Sequence, residues 1–208
     1  MSNKILSFES PVGDLEWVFT TGEGKKDLKG NFKYQANVVI SAEVGKILKK
    51  RIIEFWKEYK PKGAKEPKSI GLYKHTVIDK EATAEEGENV YKETGKYFLC
   101  FKTGTEYVSG DKKLIKIFNS KGNEVSLHGK KIGNGSRGRL IGSMAIYDVS
   151  VAARGVTFYL DSIQLSKFVE FTGSADPSGA IEDGDEGFEG VEGDMPAAIE
   201  NETAKPRL

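Results

Sequence analysis

The chain has 208 residues, with 31 lysines and arginines against 31 aspartates and glutamates, and one cysteine, Cys100. It contains no apolar run near the roughly 20 residues that span a bilayer. Its first residues, MSNKILSFESPVG, lack the apolar core and cleavage site of a secretory signal. One cysteine permits no internal disulfide. A cytoplasmic, intracellular protein of one domain plus an extension is therefore expected.

In chain order, LEWVFT (residues 15–20) and FKYQANVVI (residues 32–40) read as strands separated by a glycine- and lysine-rich connection. A long helix follows at once. Ser41 suits its N-cap, and Glu43 suits the positive end of its dipole. Val44, Ile47, Leu48, Ile52, Phe55, Trp56 and Tyr59 recur at three- and four-residue spacing, which makes an apolar stripe able to cover the end of a barrel. Pro61 and Gly63 stop the helix. Residues 60–94 lose periodicity and are expected to form a long connection, first basic and then acidic. Strands resume at residues 96–103, 113–119, 139–147 and 155–165, with a turn at NSKGNE. Short strands around one helix, punctuated by glycine-rich turns, indicate a mainly β chain built as a small barrel.

The segment KKIGNGSRGRLIG (residues 130–142) contains G-x-G-x-x-G at Gly133, Gly135 and Gly138. A dinucleotide site needs a helix after these glycines, but RLIGSMAIYDV alternates with a period of two, as a strand does. What remains is a flexible loop bearing Lys130, Lys131, Arg137 and Arg139. It is either a solvated turn or a backbone surface that faces phosphates.

Alternation places Lys96, Phe98, Cys100 and Lys102 on one side of their strand, opposite Tyr97, Leu99 and Phe101. Likewise Lys116 and Phe118 share a side, as do Arg139 and Tyr147, while Arg154 and Tyr159 flank the last strand. Cations beside aromatics serve a reader of single strands, since lysines track phosphates and rings stack on any base. The same pattern also fits amphipathic strands with aromatics in the core.

Catalytic signals are sparse. Cys100, His75 and His128 are too few and scattered for a zinc site. There is no phosphate-binding G-x-x-x-x-G-K-[ST] motif. The carboxylates near residues 81–88 read as a solvated loop. No catalytic residue, metal or cofactor is expected.

Residues 175–208 carry ten acidic and two basic residues, a charge of −8, which leaves +8 on the rest. That segment is too polar to form a core, so a disordered acidic tail is expected after a domain covering residues 1–174.

The ordered series FKYQANVVI into the helix, GKYFLCFKTGTEY, IKIFNSKGNEV, KIGNGSRGRLIGSMAIYDV, VTFYLDSIQLSKFVEF and then the acidic tail resembles the single-stranded-DNA-binding proteins of bacteriophages, especially short-tailed ones. The resemblance covers most of residues 1–173 and is best from residue 97 to residue 171. It implies an OB-fold-like five-stranded barrel that binds single-stranded DNA in phage replication, recombination and repair. It also implies a homodimer, and a tail that competes with DNA and contacts a DNA polymerase and helicase-primase. In such proteins a tyrosine late in the strand after the glycine loop takes part in DNA binding, and Tyr147 holds that place. Family tails tend to end on acidic residues and an aromatic, whereas this one ends ETAKPRL. Phe188, among Asp183, Asp185, Glu186 and Glu189, is the tail's only aromatic and so its candidate anchor. Two other readings stay open at this point: an RNA-binding, cold-shock-like module, and an assembly adaptor that binds no nucleic acid.

Overall fold

The computed structural model describes residues 4–27, 30–79 and 89–173. These residues form nine strands and one helix: β1 (Ile5–Glu9), β2 (Gly13–Phe19), β3 (Lys25–Lys26), β4 (Phe32–Ile40), α1 (Ala42–Tyr59), β5 (Leu72–Ile78), β6 (Tyr91–Gly104), β7 (Lys116–Phe118), β8 (Arg137–Ser150) and β9 (Ala153–Lys167).

Five strands close a barrel in the order β8-β2-β4-β6-β9 and back to β8. Every neighbour in that ring is antiparallel except β6 and β9, which run parallel where Phe101 meets Phe158. Around it, β1 pairs with β8, β3 with β4, β5 with β6 and β7 with β9. The interior is filled by residues such as Leu15, Val38, Leu99, Phe101, Leu140, Phe158 and Leu160, all fully buried. The mainly β barrel with one long helix is thus present, with the five-stranded closure that the family resemblance implied.

β8 and β9 are long, and their register shifts three times. One shift falls at Ile141/Gly142, where a Cβ on Gly142 would collide with the Tyr159 carbonyl oxygen. Glycine inside a strand marks such a close backbone approach, and here it lets β8 bend around the barrel.

α1 starts where Ser41 Oγ accepts from the Val44 amide at 3.4 Å. It inserts Leu48, Ile52, Phe55 and Trp56 into the core cluster, each burial contributing about 1.5–3 kcal/mol. Trp56 Nε1 donates to the Lys65 carbonyl at 2.9 Å and so fixes the exit of the helix. The apolar stripe differs from its sequence pattern at two points. Ile47 and Tyr59 are exposed, whereas Gly45 is buried against the Tyr97 ring.

Three strands lie outside the sequence expectation. β1 was not expected, the short β3 falls inside the glycine- and lysine-rich connection, and β5 falls inside the stretch read as aperiodic. β5 also extends β6 back to Tyr91, five residues before the expected start, whereas β7 keeps only Lys116–Phe118 of residues 113–119. Along β5 only Leu72 and His75 are buried, and the pairing slips between Lys74 and Thr76. A three-residue spacing cannot produce the alternation that identifies a strand.

Candidate nucleic-acid interface

Residues that alternate with the core point outward on each barrel strand, and the register lines them up across strands. Phe19 of β2 faces Gln35 of β4, which faces Lys102 of β6. On the far side of Lys102 comes Tyr159 of β9, since each follows one partner of the Phe101–Phe158 pair. A second row runs Glu16, Asn37 and Cys100. At one edge Lys25 of β3 pairs with Lys33 of β4, which pairs with Gly104. At the opposite edge Tyr73 of β5 pairs with Phe98 of β6, their rings stacked with centroids 5.2 Å apart.

Lys33, Lys102, Tyr147, Thr157 and Tyr159 line a groove of about 280 Å³ on this face. Burial pushes the Tyr147 phenol above its ordinary pKa, and its hydrogen bond with the Ser69 hydroxyl offsets part of the rise. The ring therefore stays a neutral phenol. Burial likewise raises the Cys100 thiol, with neighbouring Lys102 pulling it back. Cys100 is thus a small floor residue beneath the lysines.

The groove continues onto β2 through an unusual residue. Trp17 has φ 52° and is 54 % exposed. A bulky side chain at positive φ is a genuine outlier, and such strain costs about 1–3 kcal/mol. It sits in the register shift between Glu16 and Phe19. Its amide donates to Asn134 Oδ1 at 3.1 Å. Lys25 Nζ lies 5.9 Å from the Trp17 ring and 5.5 Å from the Phe19 ring, within cation–π range.

The residues read from the sequence as DNA-binding divide into two groups. Tyr147, Tyr159, Lys102 and Phe98 share the outer face just described, and exposed Lys96 sits two residues from Phe98 on the same side. Most of the others are held by carboxylates. Arg139 reaches Glu9 at 2.7 Å and Gln164 at 2.7 Å, and Arg137 lies 3.6 Å from Asp14. Lys116 pairs with Glu124 at 2.9 Å and Lys130 with Glu170 at 3.2 Å. Phe118 is half-buried opposite Gln164, and Lys131 is exposed. Arg154 closes the β8–β9 turn through Asp148 at 3.4 Å and the Ser150 carbonyl. Arg139 and Tyr147 are eight residues apart on β8, about 26 Å at 3.3 Å per residue. Asp183, Asp185, Glu186, Phe188 and Glu189 lie outside the described residues.

The glycine loop has a structural task here. Asn134 holds Trp17, and fully buried Ser136 bonds both backbone groups of Val169, accepting at 2.9 Å and donating at 3.1 Å. Trp17, Phe19, Lys25, Lys33 and Tyr73 join the face without having been singled out in the sequence. Among the described residues no group of three or more His, Cys, Asp or Glu is placed to hold a metal ion, and no helix is long and apolar enough to cross a membrane.

No protein-family model matches the chain, and no curated protein matches its sequence. Solved structures do match its fold. The chain is similar to gp2.5, a single-stranded DNA binding protein encoded by bacteriophage T7, with TM-score 0.53 and 17% identity over 88% of this chain and 100% of that one. The likeness is one of fold. The single-stranded DNA-binding protein from bacteriophage Enc34, in complex with ssDNA, matches at TM-score 0.51 and 14% identity, covering 79% of this chain and 88% of that one.

Proposed function

We propose that this chain binds single-stranded DNA with little base selectivity along the outer face of β2, β4, β6, β8 and β9. The observation that carries this reading is one continuous surface on which rings and lysines interleave. Trp17 and Phe19 flank Lys25, Tyr159 stands beside Lys102 and Lys33, and Tyr147 stands near the Tyr73–Phe98 stack. Lysines are point charges suited to phosphates, and each stacked base contributes about 1–3 kcal/mol whatever its identity. Paired bases in a duplex have no free faces to offer these rings. The shared architecture adds support, because both similar structures are described as single-stranded-DNA-binding proteins.

The same resemblance supports a role in phage DNA replication, recombination and repair, carried out as a homodimer without catalysis. In this reading the −8 segment 175–208 competes with DNA for the +8 remainder. Freed by DNA, it contacts replication proteins such as a polymerase or helicase-primase, with Phe188 as anchor.

Fluorescence anisotropy with labelled oligo-dT and oligo-rU of equal length tests the reading. Tighter, salt-sensitive binding to the DNA strand is expected. Equal affinity for both would move the assignment to a cold-shock-like RNA binder, and binding to neither would leave the adaptor reading.

A further inference from the structure

Next to the groove lies a second concavity of about 380 Å³. Its walls are Lys49 of α1, Lys68 and Ser69 of the connection after the helix, Tyr73 and Lys74 of β5, and Tyr97 of β6. Among the described residues neither Lys49 nor Lys68 has an ion-pair partner, whereas Lys74 is held by Glu93 at 2.8 Å. Glu66 is the one carboxylate on the rim. Lys46, three residues before Lys49 on the same helix face, is exposed, so the cationic wall continues along α1. Two lysines without ion-pair partners lining one cleft with tyrosine walls form a polyanion site in the same chemistry as the groove.

The two concavities share a partition. The Ser69 and Tyr73 hydroxyls lie 2.9 Å apart, the Tyr73 ring stacks on Phe98, and Ser69 and Tyr147 both pair with Gly155. Tyr147 belongs to the groove, and Ser69 and Tyr73 belong to the cleft. A strand passing Tyr147 therefore meets the Tyr73 edge next, and beyond it Lys68 and Lys49.

We propose that this cleft between α1 and β5 is a second subsite for single-stranded nucleic acid, taking the phosphates of the segment that leaves the groove. The inference rests on reading the groove as a single-strand site. It makes the length of strand bound a property of α1 as well as of the barrel.

The test compares oligo-dT of about 5 and about 15 nucleotides, near the two ends of the range covered per OB fold, on the full chain. The double variant Lys49→Gln, Lys68→Gln changes two exposed side chains, and an unchanged Tm confirms that it folds. For the 15-mer, the slope of log affinity against log salt is expected to flatten by about 1.4, at roughly 0.7 for each phosphate that is no longer neutralised. The 5-mer is expected to bind as it does to the parent chain. Lys102→Gln, in the groove, is expected to weaken both lengths. Equal losses at both lengths in the double variant, or no loss at 15 nucleotides while Lys102→Gln still weakens both, would overturn the subsite. If Lys102→Gln alters neither length, the groove reading itself fails and this inference falls with it.

Discussion

The Trp17 amide donates to Asn134 Oδ1 at 3.1 Å, tying an exposed indole on β2 to the glycine-rich loop 117 residues later. The bond holds a side chain that its own backbone disfavours, at φ 52°. Backbone strain kept on an exposed ring beside Lys25 is the kind of outlier found at ligand clamps. Trp17→Ala is expected to weaken oligo-dT binding by about 1–3 kcal/mol. Asn134→Ala should weaken it less, and the double variant should be no worse than Trp17→Ala alone, because the anchor matters only through the ring. Affinities of the four proteins decide this, and additive losses would separate the loop from the indole.

The chain has two tryptophans, and the structure places them in opposite environments. Trp56 is 1 % exposed in the core, whereas Trp17 is 54 % exposed. Stacking on bases should therefore quench emission from Trp17 alone. Titration with oligo-dT is expected to quench the parent chain and to leave Trp17→Phe nearly unchanged.

Lys102 and Arg139 were indistinguishable as candidates in the sequence, but the structure separates them. Lys102 lines the groove, while Arg139 is bonded to Glu9 and Gln164. Lys102→Ala should lower the salt slope of binding by about 0.7, and Arg139→Ala should leave it unchanged. A drop for Arg139 would put the glycine loop on the DNA path.

Gly142 tests the bend in β8. A Cβ there meets the Tyr159 carbonyl oxygen, which is backbone and cannot swing away. Gly142→Ala should cost about 1–3 kcal/mol of stability, as overpacking does, with a lower Tm. Because the clash falls at Tyr159, weaker binding should accompany it. An unchanged Tm would refute the close strand crossing.

Cys100 gives a pH dependence with a definite sign. Burial holds its folded-state pKa above the ordinary thiol value, so the unfolded chain loses the proton first as pH rises. The contribution to stability is complete below the unfolded thiol pKa of about 8.5 and is lost as pH climbs above it. Cys100→Ser should flatten the alkaline fall in denaturation midpoint. Alkylation of Cys100 in the parent chain at pH 8 should be slow until urea is added.

The long helix and β4 were legible because their signals are local. Ser41 caps where expected, and FKYQANVVI alternates as far as Asn37 before closing on the apolar run Val38, Val39 and Ile40. The Tyr147, Tyr159 and Lys102 part of the face was legible for the same reason, since parity holds along β6 and along β8 and β9 between Gly142 and Asp148. Trp17 was not. Strict alternation through LEWVF puts Trp17 and Phe19 on the same side as buried Leu15, and only the register shift after Glu16 turns them outward. Tyr73 was hidden by the three-residue burial spacing of β5. The basic residues around the glycine loop read as free to meet phosphates because their partners are far away in sequence. Glu9 lies 130 residues from Arg139.

The central claim is that rings and lysines on one barrel face select single strands. Anisotropy of a labelled oligo-dT against a duplex of equal length, over a salt series, tests it most directly. The account predicts tight binding to the single strand that weakens steadily with salt, and much weaker binding to the duplex. Equal affinity for the duplex, or a single-strand affinity indifferent to salt, would contradict it.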